Sequence, residues 1–309
     1  MTAIKNNMAS VFIIILNYNG IKDTLELLDN IVKLDYSNYK IIVIDNASSD
    51  GSNLELKKIT NIDLIENNKN LGFVGGNNIG IKFALKQKAD YILLLNNDTI
   101  VESDFLAKLV NAMESDSGIG LTGSKIMNYN DRQKIWSAGG GIKKWSKKTF
   151  QYGEGKIDDG SYDEPKEVDF LSGCCLLIRR EVIEKIGLLD DDYFMYYEDV
   201  DYCLKAKRAG FKVFYVPQSV IWHKVANSSS RSFRDFYRMR NYILYMNKNF
   251  RFTDLRILFV CIPTITERIL RIFARKIKHK DTEKIHIRIH SLFKGVVSAY
   301  KIMSINRKC

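Results

Sequence analysis

Four short apolar runs, at residues 11–16, 41–44, 91–95 and 174–178, punctuate a more polar chain. Each is β-branched or leucine-rich, apolar on both faces and too short for an ordinary helix, which predicts strands covered on both sides. Between the first two, Ile21, Leu25, Leu28, Ile31 and Val32 recur at helical spacing over 20–34; between the second and third, Ile81, Ala84 and Leu85 do so over 77–88. This alternation predicts an α/β protein with a mostly parallel, doubly wound sheet. Residues 128–169 are polar and Gly-rich, with GlyGlyGly at 139–141 and no clear period, which predicts binding loops or short hairpins. Order then resumes with the run at 174–178, a helix over 180–186, and an acidic segment, 190–201, leading into a helix that ends near Gly210. A strand at 211–216 is expected to stop at Pro217.

Beyond about residue 225 the pattern turns helical and basic. Ile285, Ile289, Leu292, Phe293, Val296, Tyr300 and Met303 fall on one stripe, with Lys284, Arg288, Lys294 and Lys301 mostly off it. Residues 255–278 behave similarly, with Arg268, Arg271, Arg275, Lys276 and Lys278 around an apolar face. The expected organisation is an α/β domain over 1–225, its halves at about 10–100 and 101–225, followed by a basic amphipathic helical region over 226–309.

Charge sharpens that division. The net charge of +11 over 309 residues conceals 24 Lys+Arg against 5 Asp+Glu after residue 202, and 23 against 31 before it. An acidic body is joined to a strongly basic tail. At 46% hydrophobic and 27% charged, the composition excludes collagen-like, disulfide-scaffold and wholly disordered chains. Cys174, Cys175, Cys203, Cys261 and Cys309 are odd in number and contain no CxxC, so a reduced, cytoplasmic protein is expected. The first ten residues lack the apolar core of a signal peptide, and no stretch reaches the ~20 apolar residues of a membrane span.

Three polar groups follow expected strands directly: Asn17-Tyr18-Asn19, the run 45–50 with Asp45, Asn46 and Ser48, and Asn96-Asn97-Asp98. Any one of them is accounted for by a turn or a helix cap. Three in succession at one sheet edge point to a ligand, because ligands of open α/β sheets collect at the carboxyl ends of strands. The Gly-rich stretch 72–80 follows the wrong strand for a dinucleotide fingerprint; it suits a loop in close approach to a ligand, or a plain turn. Glu198, Asp199 and Asp201 head a helix, where they could cap it or supply a base. His223 closes an aromatic-apolar run.

Taken in order, Asn17-Tyr18-Asn19, ValIleAspAsnAlaSerSerAspGly at 43–51, AsnLeuGlyPheValGlyGlyAsnAsn at 70–78 and LeuLeuLeuAsnAsnAspThr at 93–99 form a recognisable set. GlyCysCysLeuLeuIleArgArg at 173–180, TyrGluAspValAsp at 197–201, TrpHis at 222–223 and ArgAsn at 240–241 continue it. The set resembles the inverting glycosyltransferases of family 2, in the rhamnosyltransferase-like branch with a GT-A fold. The resemblance covers roughly residues 10–241. It implies a nucleotide-diphospho-sugar lying across the strand ends, held by Asn17, Asn19, Asp45, Asn46, Ser48, Gly72, Phe73, Asn77 and Asn97. It implies Mn²⁺ or Mg²⁺ at Asp98 and His223, Asp199 as the general base, and an acceptor near Gly173, Glu198 and Asp201. The metal-binding DxD motif of that family is here Asn96-Asn97-Asp98, with an amide in place of its first carboxylate.

For the basic tail, a solvated helical face, nucleic-acid binding and attachment to anionic lipid compete. Basic residues flanking stripes of Ile, Leu and Phe favour lipid, and no nucleic-acid motif accompanies the charge. The resemblance agrees, implying a glycan or lipid-linked acceptor at the inner face of the cytoplasmic membrane. His286 and His290, four apart, suit a solvated helix face better than half a metal site. The rival readings are a sugar-phosphate nucleotidyltransferase, which should carry a basic Gly-rich loop after the first strand, and a non-enzymatic nucleic-acid-binding protein using the tail alone. No residue pattern sets an oligomeric state.

Overall fold

The computed structural model describes residues 8–225, 230–250, 254–277 and 283–306. Strand β1 (Val11–Asn17) lies inside a mixed sheet, parallel to β2 (Tyr39–Asp45) and to β4 (Tyr91–Asn96); the short helix α2 (Ser52–Leu56) leads from β2 to β3 (Asp63–Glu66), parallel beyond it. Alternate residues of β1 enter two different cores. Phe12 and Ile14 pack towards α3 (Gly72–Lys86), while Val11, Ile13 and Ile15 pack towards α1 (Ile21–Ile31) and α4 (Phe105–Ser115). Burial on both faces explains the unbroken apolar run.

The apolar run at 174–178 is a strand, β11 (Cys175–Arg179), but it is antiparallel to β4 and to β6 (Ile119–Asn128). Being apolar on both faces reports coverage and not direction, so the run carries no sign of its reversal. Strand β12 (Lys212–His223) extends parallel to β6 and does not end at Pro217. The register shifts between Val216 and Val220, and the proline sits in that irregularity, where no ladder hydrogen bond is required of it. The short β5 (Thr99–Val101) runs antiparallel to the end of β12. Residues 128–169 hold β7 (Ile135–Ser137), a hairpin of β8 (Gly140–Ile142) and β9 (Thr149–Gln151), and β10 (Lys166–Glu167). Lys125, buried in β6, ties this excursion down through Asp158 and Asp163.

Helix α5 (Arg180–Ile186) has the bounds expected from its sequence, and α6 (Glu198–Arg208) follows the acidic segment. Among the described residues three helices follow: α7 (Arg231–Phe250), α8 (Asp254–Ile277) and α9 (Ile285–Asn306). Met239, Tyr242, Ile243 and Leu244 of α7 share one core with Tyr193, Val200 and Tyr202, so α7 is packed into the α/β body. The inward line of α9 is Arg288, Leu292, Ala299 and Met303. This is rotated from the expected stripe: Phe293 faces out, and Arg288 is buried because its guanidinium pairs with Asp235 of α7 at 2.7 Å. His286 and His290 are exposed. No helix among the described residues is long and apolar enough to cross a membrane. Cys174, Cys175, Cys203 and Cys261 are buried free thiols, and Cys309 lies outside the described residues.

Candidate active site

The carboxyl ends of β1, β2 and β4 carry a continuous amide and carboxylate network. Asn17, fully buried, donates from Nδ2 to Asp45 Oδ1 at 2.8 Å and to Ser48 Oγ at 3.1 Å, and its Oδ1 accepts from Thr24 at 2.8 Å. Asp45 also accepts from the Ser48 backbone N–H at 3.2 Å. Asn19, at φ 51°, accepts from the Ser49 N–H at 2.7 Å, and its own N–H reaches Ser48 Oγ. Asn97 donates to Thr24 at 3.0 Å and to the Gly20 carbonyl at 3.3 Å. Asn17, Asn19, Asp45 and Ser48, four of the expected donor-binding residues, therefore hold one another, and Thr24 bridges Asn17 to a fifth, Asn97. No sequence pattern singled out Thr24; its place on the first turn of a helix leaving the strand edge was the available signal.

Asn46 closes the neighbouring side. Its Nδ2 donates to Asn70 Oδ1 and the Gly72 carbonyl, and its Oδ1 accepts from Asn67 and the Leu71 N–H, all within 3.1 Å. Buried amides with every site partnered give a rigid rim rather than adaptable contacts. The stretch 72–77, expected as a loop, forms the first turns of α3. Its glycines serve packing: a Cβ at Gly76 would lie 2.3 Å from Leu16, and one at Gly80 2.7 Å from Ile14. The Phe73 ring is turned to Gly173, and Asn77 donates back to the Phe73 carbonyl at 2.8 Å.

The two halves meet where β11 begins. The Cys174 carbonyl accepts from the Asn96 N–H at 2.9 Å, and the Gly173 N–H donates to Asp199 Oδ2 at 3.0 Å. Cys174 records the result: burial, then the nearby Asp98 carboxylate, and further Asp199, push its thiol well up. The Asp98 and Asp199 charges thus both act on Cys174, and Asp199 is hydrogen-bonded at Gly173. Asp199 also accepts from the Val200 N–H at 2.8 Å, and burial raises its pKa against those two hydrogen bonds. Glu198 is raised well above the ordinary value, first by burial and then by the Asp199 charge, and its Oε2 has no hydrogen-bond partner among the described residues. Asp201 points elsewhere, to Lys205 at 2.9 Å and to Asn249 of α7 at 2.6 Å.

His223 arrives on β12 opposite Thr99, and its Nε2 is 3.1 Å from Asp98 Oδ1. The Trp136 ring meets the imidazole edge-on at 4.7 Å. A buried carboxylate oxygen and imidazole nitrogen 3.1 Å apart are of the donor types that hold a divalent cation. Among the described residues no group of three or more His, Cys, Asp or Glu gathers at one point. Two protein donors fit a cation that takes its remaining ligands from a substrate's phosphates and water.

Residues 12–187 match the model of glycosyl transferase family 2. The chain belongs to that family. It is 30% identical over 244 residues to the rhamnosyltransferase WbbL of Escherichia coli (strain K12), covering 72% of this chain and 86% of WbbL. Against the dTDP-rhamnosyl transferase RfbF of Shigella flexneri it is 24% identical over 251 residues, covering 78% and 81%. Among solved structures, GalNAc-T7 with UDP, GalNAc and Mn²⁺ superposes with a TM-score of 0.60 at 18% identity, over 77% of this chain. The chain spans about half of that protein, 48%. The sheet and its flanking helices are the GT-A fold, and the chain is a glycosyltransferase of the rhamnosyltransferase-like kind.

Proposed function

We propose that this family 2 enzyme is a metal-dependent, inverting transferase acting on a nucleotide-diphospho-sugar. The favoured donor is dTDP-rhamnose, with UDP-sugars next, and the acceptor is a glycan or lipid-linked sugar of a cell-surface polysaccharide. The observation that carries this reading is Asp199, oriented by the Gly173 N–H at 3.0 Å, one residue from Cys174, whose carbonyl accepts from Asn96 at the head of the Asn96-Asn97-Asp98 group. The likeness to WbbL and RfbF supports the donor.

The chemistry follows from the side chains. Two N–H groups orient the Asp199 carboxylate, and its remaining lone pairs can accept the acceptor hydroxyl. That hydroxyl oxygen forms a bond to the anomeric carbon as the bond to the diphosphate breaks, and its proton passes to Asp199. Attack opposite the leaving group inverts the centre in a single displacement. Burial and the Asp199 charge favour the neutral form of Glu198, which disfavours it as a second ionised carboxylate for a double displacement. The amide rim at Asn17, Asn19, Asn46 and Asn97, with Asp45 and Ser48, orients the nucleotide. Gly72, Phe73 and Asn77, at the start of α3, would line the donor as well, with the Phe73 ring against Gly173. Asp98 and His223 would hold Mn²⁺ or Mg²⁺, which when bound stabilises charge on the departing diphosphate. A panel of dTDP-, UDP- and GDP-sugars with Mn²⁺, read by calorimetry, tests the donor. With the selected donor, Asp98→Ala should weaken binding roughly ten-fold or more in Mn²⁺ and change nothing in chelator. Equal metal dependence in both proteins would remove Asp98 from the site.

The helical region supports attachment to the inner face of the cytoplasmic membrane. On α8, Phe259, Ile262, Leu270 and Phe273 are exposed at spacings that keep them on one face. Arg271 on α8, and Lys294 and Lys301 on α9, are exposed beside apolar groups such as Phe293 and Val297. Apolar wedges among lysines and arginines suit anionic headgroups. The protein should float with phosphatidylglycerol vesicles and not with phosphatidylcholine ones. The triple change Phe259→Ser, Leu270→Ser, Phe273→Ser should abolish flotation, and vesicle-independent binding of RNA would favour the nucleic-acid alternative.

A further inference from the structure

The chain enters α6 through two successive left-handed residues. Tyr196 and Tyr197 both have φ 72°, immediately before Glu198 and Asp199. Neither is glycine, and a left-handed backbone crowds the Cβ of an ordinary residue, so the geometry persists only when its surroundings hold it. Helix α7 supplies that hold. Asn241, fully buried, donates from Nδ2 to the Met195 carbonyl at 2.7 Å and to the Tyr196 carbonyl at 2.8 Å. Its Oδ1 accepts from Arg240 Nε at 2.8 Å, which fixes the amide with its NH₂ facing those carbonyls. Arg240 is itself anchored, donating to the Asp192 carbonyl at 2.9 Å with its guanidinium over the Tyr237 ring at 4.7 Å. Along the same helix, Lys248 meets Asp190 and Asp192, and Asn249 meets Asp201.

We infer that Asn241, oriented by Arg240, is a positioning residue for Asp199: its amide clamps the strained turn that presents the catalytic carboxylate to Gly173. The inference rests on the proposed role of Asp199 as base. Asn241 is more than a packing group, because its two hydrogen bonds grip the backbone at the point where the strain lies. Loss of the grip lets residues 195–199 relax and lengthens the Gly173 N–H···Asp199 contact.

The test compares Asn241→Ala and Asn241→Asp, the latter keeping the shape but losing both donors. The assay is nucleoside diphosphate release from dTDP-rhamnose, or from the UDP-sugar turned over in its place, with Mn²⁺. Both variants should lose roughly ten- to a hundred-fold in kcat with the donor KM little changed. The acidic limb of the pH–rate profile should move up, since the base has lost a stabilising N–H. A second change, Tyr196→Gly in the Asn241→Ala background, should restore thermal stability by removing the strained residue while kcat stays low. Recovery of kcat together with stability would show a merely structural role and overturn the inference, as would wild-type kcat in a folded single variant. Asp199→Asn, assayed in parallel, separates the two failures. An inactive Asp199→Asn beside fully active Asn241 variants rejects only the clamp, while an active Asp199→Asn rejects the base.

Discussion

Replacing Asp199 by asparagine is expected to abolish sugar transfer and leave nucleotide-sugar binding intact. The carboxylate is fixed by the Gly173 and Val200 N–H groups at 3.0 and 2.8 Å, so the amide occupies nearly the same volume. It has no basic site for the acceptor proton, and loss of a general base costs about 10²–10⁴ in rate. Donor binding should persist because the amide rim and Asp98 are held by other residues: Asn17 by Asp45, Ser48 and Thr24, Asn97 by Thr24, and Asp98 by His223. The pH dependence has a definite sign. Burial raises the Asp199 pKa, so the active, ionised form is present above that raised value and is lost as pH falls through it. The acidic limb of kcat/KM should therefore sit above the ordinary carboxylate range, near 4. Burial and then the Asp199 charge raise Glu198 well above its ordinary value, which favours its neutral form. Glu198→Gln should then keep both the activity and the position of the limb. Steady-state rates from pH 4 to 9 with calorimetric donor titrations check all three statements. Undiminished turnover by Asp199→Asn would remove the base from the mechanism.

What the chain discloses of this fold depends on whether a residue's partner is local. Strands β1, β2 and β4 are legible because both of their faces are buried, and α5 and α6 because their periodicity follows directly on a strand or an acidic cap. Strand β6 is not, although nearly every residue in it is buried. Its Ser124 and Lys125 interrupt the apolar pattern, and their partners, Ser219 and the pair Asp158 and Asp163, lie 33 to 95 residues away. The same holds for α3, whose Gly76 and Gly80 imitate a loop in sequence but seat the helix against β1. Arg288 sits off the expected apolar stripe and is buried nonetheless, a choice made by Asp235 fifty-three residues earlier. At the site, the polar groups after three strands mark the edge correctly. That most of them bond to one another, with Thr24 and Asn70 as hidden members, requires the fold to bring the strand ends together. Asn241 is the extreme case: an ordinary helical amide in sequence, whose role exists only against the Met195 and Tyr196 carbonyls.

The second large effect is expected at Gly72, where the fold leaves no room and no conformational choice. Its φ is +72°, and an added Cβ would lie 2.4 Å from the Phe194 carbonyl oxygen and 2.6 Å from the Phe194 ring. The nearest obstacle is backbone, and that carbonyl also accepts the Val74 N–H at 3.3 Å, so it cannot swing aside as a side-chain tip could. Alanine in the left-handed region costs about 1–2 kcal/mol on its own, and displacing the backbone brings the total to roughly 2–4 kcal/mol. Gly51 provides the control, with φ +85° but nothing within 4 Å of its Cβ. Gly51→Ala therefore isolates the conformational cost, and Gly72→Ala adds the collision. Thermal unfolding should show the Gly72 variant melting well below the Gly51 variant, by about 2–4 °C for each additional kcal/mol. The displacement should also reach the chemistry, because Phe194 lies two residues before the strained pair Tyr196 and Tyr197. At temperatures where Gly72→Ala is still folded, kcat should fall while Gly51→Ala turns over normally. Equal melting of the two variants would mean that the start of α3 yields to the added methyl.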